Sequence, residues 1–481
     1  MKNVIRCFVA ALLLSSAAWA QWSSDPSMNL ALSDISGADQ VQPKVLPLPN
    51  NTWYVSWFNN NPNDPPPNGY DVYYQLLSAG GVEQFPHDGI QVAKLTLSST
   101  EDYGLAADAS GNALLAFLDD RSDPNNPQVT AAKMSSSGQP LWGASGVALT
   151  FDPGSHADPK IAATSDGNVI VAWTTDDHVV LQKLDANGRP LWAGPTVLSG
   201  GIIVGEPGYN YLLADMHASD NGSVIISWVR YKGFYGNKYL YANKVSSTGQ
   251  LLWGAGHVKV YDGGSLQFGE FPYFLSDGNG GAVFAWYSSS PSLQCFAQHI
   301  LSDGSEAFGH NGSEASTDSL NIRVSPAVSY RASTQETFLF WTEEDSNQVY
   351  NGIYAQKFNP SGARQWSDTG LVIVPLGTDS QIFAQTVQIG TGALAFWFDQ
   401  PGYGSGTIQA VKLDGAGAFV CPQFGVSTAS ADKSQLSAGI ASSGLAALAW
   451  EDDRNGENDI FIQNVNPDCT LGQETRMHLR R

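Results

Sequence analysis

Several common devices of chemistry and anchoring are missing from this 481-residue sequence, and each gap narrows what it does. Only four cysteines occur, one of them (Cys7) near the N-terminus. A disulfide framework is therefore not the main source of stability in a chain long enough to bury its own core. Basic residues are scarce: 24 Lys and Arg face 45 Asp and Glu, for a net charge of −21. Such a surface repels phosphate backbones, which argues against nucleic-acid binding. After the first twenty residues no apolar run approaches the roughly 20 residues a membrane helix needs. Helical periodicity is absent too. Neither His-Glu-x-x-His nor a catalytic serine motif occurs.

The N-terminus is organised. Lys2 and Arg6 precede the apolar stretch Cys7–Ala18, and Ala18-Trp19-Ala20 is a small-residue cleavage site. Residues 1–20 thus read as a secretory signal, with export to a bacterial periplasm or medium. Cys7 precedes the apolar core, which rules out a lipoprotein signal. Cys295, Cys421 and Cys469 remain in the mature chain, enough for one bridge with one thiol left over.

A short apolar strand ending in an aromatic residue recurs eight times, the aromatics being Trp57, Phe117, Trp173, Trp228, Trp286, Trp341, Trp397 and Trp450. Their spacing runs from 60 residues (57 to 117) down to 53 (397 to 450). Around each lie further strands and Asp-Gly or Asn-Gly turns, such as Asp166-Gly167 and Asn187-Gly188, where glycine accepts the positive φ of a tight hairpin. Four antiparallel strands per unit make a propeller blade. The expected fold is all-β: an eight-bladed β-propeller over 21–470 with a polar tail at 471–481. The last unit holds only three strands before Pro467. Met28–Ser33, leading to Pro43-Lys44-Val45, parallels Gly146–Thr150, leading to Pro159-Lys160-Ile161. The N-terminal strand is therefore expected to complete the last blade and remove an open edge.

Several blades resemble the W-x-D-D…Y-x-Q…G-x-x-x-W repeat of secreted bacterial propeller proteins. Trp450–Arg454 with Ile460–Gln463 is one copy, and Trp341–Glu344 with Ile353–Gln356 and Gly362–Trp366 is another. The resemblance implies a scaffold rather than an activity. Gly138–Trp142, Gly188–Trp192 and Gly249–Trp253 also look like the blade-locking Gly-x-x-x-Trp motif of quinoprotein dehydrogenases and the outer-membrane assembly propeller. In those families the tryptophan packs adjacent blades together. The quinoprotein cofactor site uses vicinal cysteines, which this chain lacks, and no sialidase box is present. Cys421 takes the tryptophan's place after Gly417, and Cys469 falls near the equivalent turn of the last blade. These two are the expected disulfide, leaving Cys295 buried and free.

Three groups of residues are candidates for chemistry on the face formed by the second-to-third-strand loops and the blade-to-blade loops. Carboxylates follow the second-strand aromatic: Asp119-Asp120, Asp176-Asp177, Glu343–Asp345 and Glu451–Asp453. Within the last set, Glu451, Asp453, Asn455, Glu457 and Asp459 approximate a calcium loop, with Ile462 where the closing Glu belongs. The plainer reading is a turn at Asn455-Gly456, with Arg121 and Arg454 neutralising their neighbours. Aromatic loops supply a candidate ligand site: Tyr209, Tyr211, Tyr231, Phe234 and Tyr235 in blade 4 and Tyr403 in blade 7, suited to stacking on sugar rings or gripping a peptide. His156, Asp158, Asp176, Asp177 and His178 are the candidates for acid–base catalysis.

The function expected is a monomeric, exported binding or scaffold module presenting one loop face to a glycan or protein ligand, with calcium as the candidate cofactor. The alternatives are a carbohydrate-active hydrolase or lyase using carboxylates of that face, and a structural envelope component.

Overall fold

The computed structural model of the protein describes residues 21–63, 68–192, 201–402 and 404–473. The proposed secretory signal at 1–20 and most of the tail lie outside these residues. Eight antiparallel sheets succeed one another along the chain, and apart from two three-residue 3-10 turns the described residues hold no helix. Blade 1 is Asp39–Pro47, Trp53–Asn60, Asp71–Leu77 and Ile90–Ala93, each strand paired with the next. Blades 2, 3 and 4 open with first strands Gly104–Ala107, His156–Ala163 and Asn210–Ala218. Blades 6, 7 and 8 open with Ile322–Arg331, Ser380–Ile389 and Lys433–Ile440. In blade 5 the first strand is broken into Ser265–Leu266 and Phe274–Ser276, both paired with Ala282–Ser290, so that 267–273 stands out as a loop.

First strands of successive blades contact one another around the ring, blade 8 against blade 1 included, and so line its axis. Closure is made as the sequence indicates. Leu30–Ser33 pairs antiparallel with Asp459–Val465, Leu30 opposite Ile462, and completes blade 8.

Second strands are flanked by two strands of their own blade and covered by two neighbouring blades. They therefore read as unbroken apolar runs rather than alternating ones. Val169–Thr175 is buried at every position. The eight terminal aromatics are all 0–1% exposed. At about 200 Å² each and ~25 cal/mol per Å², each contributes roughly 5 kcal/mol of apolar burial as an upper bound. Phe117 is the exception in size. In blades 1, 5 and 6 a Cβ on Gly89, Gly312 or Gly370 would lie 2.7–2.9 Å from the far edge of Trp57, Trp286 or Trp341. The counterpart Gly146 in blade 2 meets Ala131 and Thr130 instead. Beside Phe117 lies a partly open pocket of about 240 Å³, lined by Phe117, Ala132 and Gly146 on one side and Ile90 and Val92 of blade 1 on the other.

On the opposite side from the first-strand entry loops, an aromatic ring of each blade caps a glycine of the next. Phe85 lies on Gly138, Trp142 on Gly188, Trp192 on Gly249, Trp253 on Gly304, Phe308 on Gly362 and Trp366 on Gly417. These glycines all have φ between +80° and +86°, and a Cβ there would lie 2.6–3.6 Å from the ring. Only glycine meets both demands. Between blades 7 and 8 the contact is covalent: Cys421 stands at the ring position and is disulfide-bonded to Cys469, Cα–Cα 6.5 Å. Cys469 has φ +69°, the conformation its seven counterparts assign to glycine. The eighth contact is supplied from the N-terminus, where Trp22 packs on Gly81 and donates its indole N–H to Ala79 O at 2.8 Å. Cys295 is buried and unbonded.

Candidate functional site

Two features on one side of the ring stand out, an aromatic rim over blades 4 and 5 and a charged cluster in the channel.

The rim is made by the loop after Val224–Tyr231 and by the loop that interrupts the first strand of blade 5. Phe234, Tyr235 and Phe268 are 63%, 95% and 62% exposed, yet they touch one another. Phe234 lies 5.1 Å from Tyr235 and 5.2 Å from Phe268 between ring centres. Lys238 Nζ sits 5.6 Å from the Tyr231 ring and 5.3 Å from that of Phe268. Arg230 stacks on Tyr209 at 3.8 Å, with Lys232 Nζ 5.7 Å from the same ring. Arg230 is also paired with Glu206 at 2.7 Å, whereas Lys232 and Lys238 form no ion pair among the described residues. Tyr211 is different. It is 1% exposed and stacked on Trp228, so it is part of the core. Tyr403 lies outside the described residues. Phe268 was not foreseen from sequence. The signal was there in the 58-residue step from Trp228 to Trp286 and in Gly269 and Pro272 interrupting an inner strand.

The channel cluster arises from a repeated backbone irregularity. The first strands of blades 1, 3, 6, 7 and 8 each carry a β-bulge, with Gln42, Asp158, Ser325, Phe383 and Gln435 at φ +48° to +55°. A bulge re-aims the side chains that follow it. In blades 1 and 3 those are Lys44 and Lys160, and both donate to Asp102 at the entry of blade 2, one to each carboxylate oxygen. Tyr103 N–H adds a third hydrogen bond at 2.9 Å. Gly104 lets the strands approach, since a Cβ there would lie 2.7 Å from Ile161 N. Burial pushes the Asp102 carboxyl up, but the two ammonium groups outweigh it and hold it well below the usual range. Burial lowers Lys44. Asp158 is raised by burial, with Lys160 opposing, and Glu101 beside it is raised by burial and by the charge of Asp158. Asp215 pairs with His217 at 3.0 Å. Burial raises Asp215 and lowers His217, and in each case the partner's charge wins. Tyr273, from the blade 5 loop, is pushed up by burial and then by Asp102, Asp215 and Asp158. It is nonetheless 63% exposed.

The acids that follow the aromatics are mostly turned inward. Asp119 accepts from Arg121 Nε at 2.8 Å and Thr130 Oγ1 at 2.9 Å. Glu343 holds the indole N–H of Trp341 at 2.6 Å and the buried Arg323 at 3.0 Å. Asp452 holds Trp450 at 2.9 Å, Lys433 at 2.9 Å and Arg454 at 2.5 Å. Strand alternation accounts for this, because a residue two past a buried tryptophan shares its side.

In the candidate calcium loop, Glu451 accepts from Gln42 N at 2.7 Å and Ser434 Oγ at 2.6 Å, and Asp453 from Asp432 N at 2.7 Å. Asn455 Nδ2 donates to Asp459 at 2.6 Å, and burial pushes the Asp459 carboxyl up to about 6. Glu457 is half-buried beside them. These oxygens are taken up by hydrogen bonds within blade 8 and to blade 1. Among the described residues the set that brings ligand-type atoms within 4.8 Å of one another is Asp34, His87 and Asp88. It already holds a cation of its own: hydrogen bonding to Glu83 and Asp34, against some burial, raises the His87 imidazole to about 9.

Four of the five acid–base candidates lie around the turn between the second and third strands of blade 3, held by local contacts. His156 is buried, its Nδ1 against Thr175 Oγ1 at 2.9 Å, and burial lowers it despite Asp152 at 2.9 Å. Asp176 accepts from Ser155 N at 2.9 Å. Asp177 contacts His178 at 3.2 Å at the surface. Asp158 alone faces the channel.

No family model matches the chain, and no curated protein is detectably similar to it. Among solved structures, a protein of unknown function from Dyadobacter fermentans is 10% identical, with a TM-score of 0.41 over 91% of this chain and 97% of that one. An alpha-L-arabinanase of Penicillium chrysogenum complexed with arabinobiose is 10% identical, TM-score 0.41, covering 92% and 99%. The NanB sialidase of Streptococcus pneumoniae, in mutant form, is 11% identical, TM-score 0.38, covering 93% and 71%. Likenesses at this level carry no argument about what the chain binds or does.

Proposed function

We propose that this protein is an exported glycan-binding module whose ligand lies on the aromatic rim over blades 4 and 5. The observation that carries the reading is the contact among Phe234, Tyr235 and Phe268, three rings each more than 60% exposed that nonetheless lie together. Contiguous exposed aromatic surface edged by polar groups marks an interaction site. Rings with two rotatable bonds make rigid stacking platforms at low entropic cost, and flanking Tyr209 and Tyr231 extend the platform. Export follows from the leader at 1–20.

The Tyr235→Ala, Phe268→Ala double variant tests it on a glycan array followed by calorimetry. Binding is expected to fall at least about tenfold with an unchanged melting temperature. Retained affinity would reject the rim as the site.

A second reading, glycoside hydrolysis, is favoured by one observation. Asp102 is held ionised while burial raises Asp158, the opposed pairing that acid–base chemistry uses. The two lysines on Asp102 weigh against it, because they leave its carboxylate a poor base and nucleophile. Recognition is the better use of the cluster.

A further inference from the structure

We infer that the channel cluster is an anion subsite, in which Lys44 and Lys160 receive the carboxylate of an acidic sugar whose neighbouring rings lie on the rim. This rests on the glycan-binding reading above and specifies the charge of the ligand.

Three observations support it. First, the two amines converge on a single carboxylate. Each ammonium carries three N–H donors, and the hydrogen bonds of both, among the described residues, go to Asp102 alone. Donors are left over on both; Lys44 and Asp102, each 27% exposed, are reached by water, while the Lys160 side chain is 7% exposed. Second, the bulges of blades 1 and 3 bring lysines from two different blades onto one carboxylate, so that two cationic groups converge here from separate parts of the ring. Third, the subsite is continuous with the rim. The loop 267–273 exposes Phe268 among the rim rings at one end and carries Tyr273 beside Asp102 and Asp158 at the other. Lys238 lies between Tyr231 and Phe268 and Lys232 over Tyr209 on the same face. In a chain of net charge −21, this gathers unpaired cations where the aromatics are. Charge complementarity of that kind selects the ligand and speeds its approach.

The test is calorimetric binding of a uronic-acid oligosaccharide, its carboxyl-reduced neutral counterpart and a sulfated oligosaccharide to the mature protein. The acidic sugar is expected to bind at least about tenfold tighter than the neutral one, and more weakly as salt rises. Lys44→Gln and Lys160→Gln are expected to remove that difference while leaving neutral-sugar binding intact. Asp102→Asn, which frees both amines, is expected to tighten the anionic sugar instead. Circular dichroism establishes that each variant is folded, and the opposite signs of the two substitutions separate recognition from simple destabilisation. Equal binding of acidic and neutral sugars, or lysine variants that keep the preference, would overturn the inference and leave the rim reading standing. Binding of none of the three would reject both. Lysine-dependent binding of the sulfated sugar in preference to the uronate would support the subsite and name sulfate as its anion.

Discussion

Phe117 stands where seven other blades carry tryptophan, and the pocket beside it is the size of the difference and more. Filling space that already exists avoids the strain of overpacking, and such substitutions commonly add 0.5–2 kcal/mol. Phe117→Trp is therefore expected to raise stability by about 1 kcal/mol in chemical denaturation. A loss of stability would mean that blades 1 and 2 have closed around the smaller ring. Single residues also decide the acids. Asp119, Glu343 and Asp452 look like a functional crown in a linear reading, but each shares the buried side of its strand with the aromatic two positions before it. Each ends as the partner of an arginine, with Glu343 and Asp452 also taking an indole N–H.

At the scale of elements, the closing strand Leu30–Ser33 is fastened to blade 1 by a histidine. His87 bridges Glu83 at 3.1 Å and Asp34 at 3.0 Å, while Asp88 accepts from Ser33 Oγ at 3.1 Å. Its imidazole is raised from 6.5 to about 9 in the folded protein. The stabilisation is therefore full below pH 6.5 and is lost as pH rises through about 9. The ring is 45% exposed, so screening holds the effect to about 1 kcal/mol or less. His87→Gln is expected to flatten this part of the stability profile between pH 6.5 and 9.5. An unchanged slope in the variant would assign it to other groups. The strands themselves were legible in sequence because aromatic-ended runs and Asp-Gly or Asn-Gly turns are local signals. The channel cluster was not. Pro43-Lys44 and Pro159-Lys160 were visible as a repeat, but their meeting at Asp102 depends on bulges and on ring curvature, which no local pattern encodes. Tyr211 misled for the converse reason: it sits in a loop-rich stretch, yet its strand turns it onto Trp228.

At the scale of the molecule, the ring is held by eight similar contacts between blades, of which one is a disulfide and one comes from Trp22. Removal of residues 21–34 deletes that contact, the closing strand and the tie from Asn29 Nδ2 to Val426 O at 2.9 Å. The outer edge of Asp459–Val465 is then left unpaired. Loss of the buried Trp22 alone is worth roughly 3–5 kcal/mol. The shortened protein is expected to associate through that edge, read as a concentration-dependent rise in mass by light scattering. A stable monomer with unchanged hydrogen exchange at 459–465 would show that seven contacts suffice.

The closing strand also sets an order in time. Leu30 pairs with Ile462, 432 residues later by subtraction of positions. At about 5–20 residues per second, synthesis of the intervening chain takes roughly 20–90 s. The first segment made is thus the last to find its place, and seven blades can assemble before the eighth has an outer strand. Until then a nascent propeller carries an open edge and a free strand matched to it, in every copy. Two chains at the same stage present complementary halves to each other, so exchange of this strand between neighbours competes with closure whenever molecules are crowded.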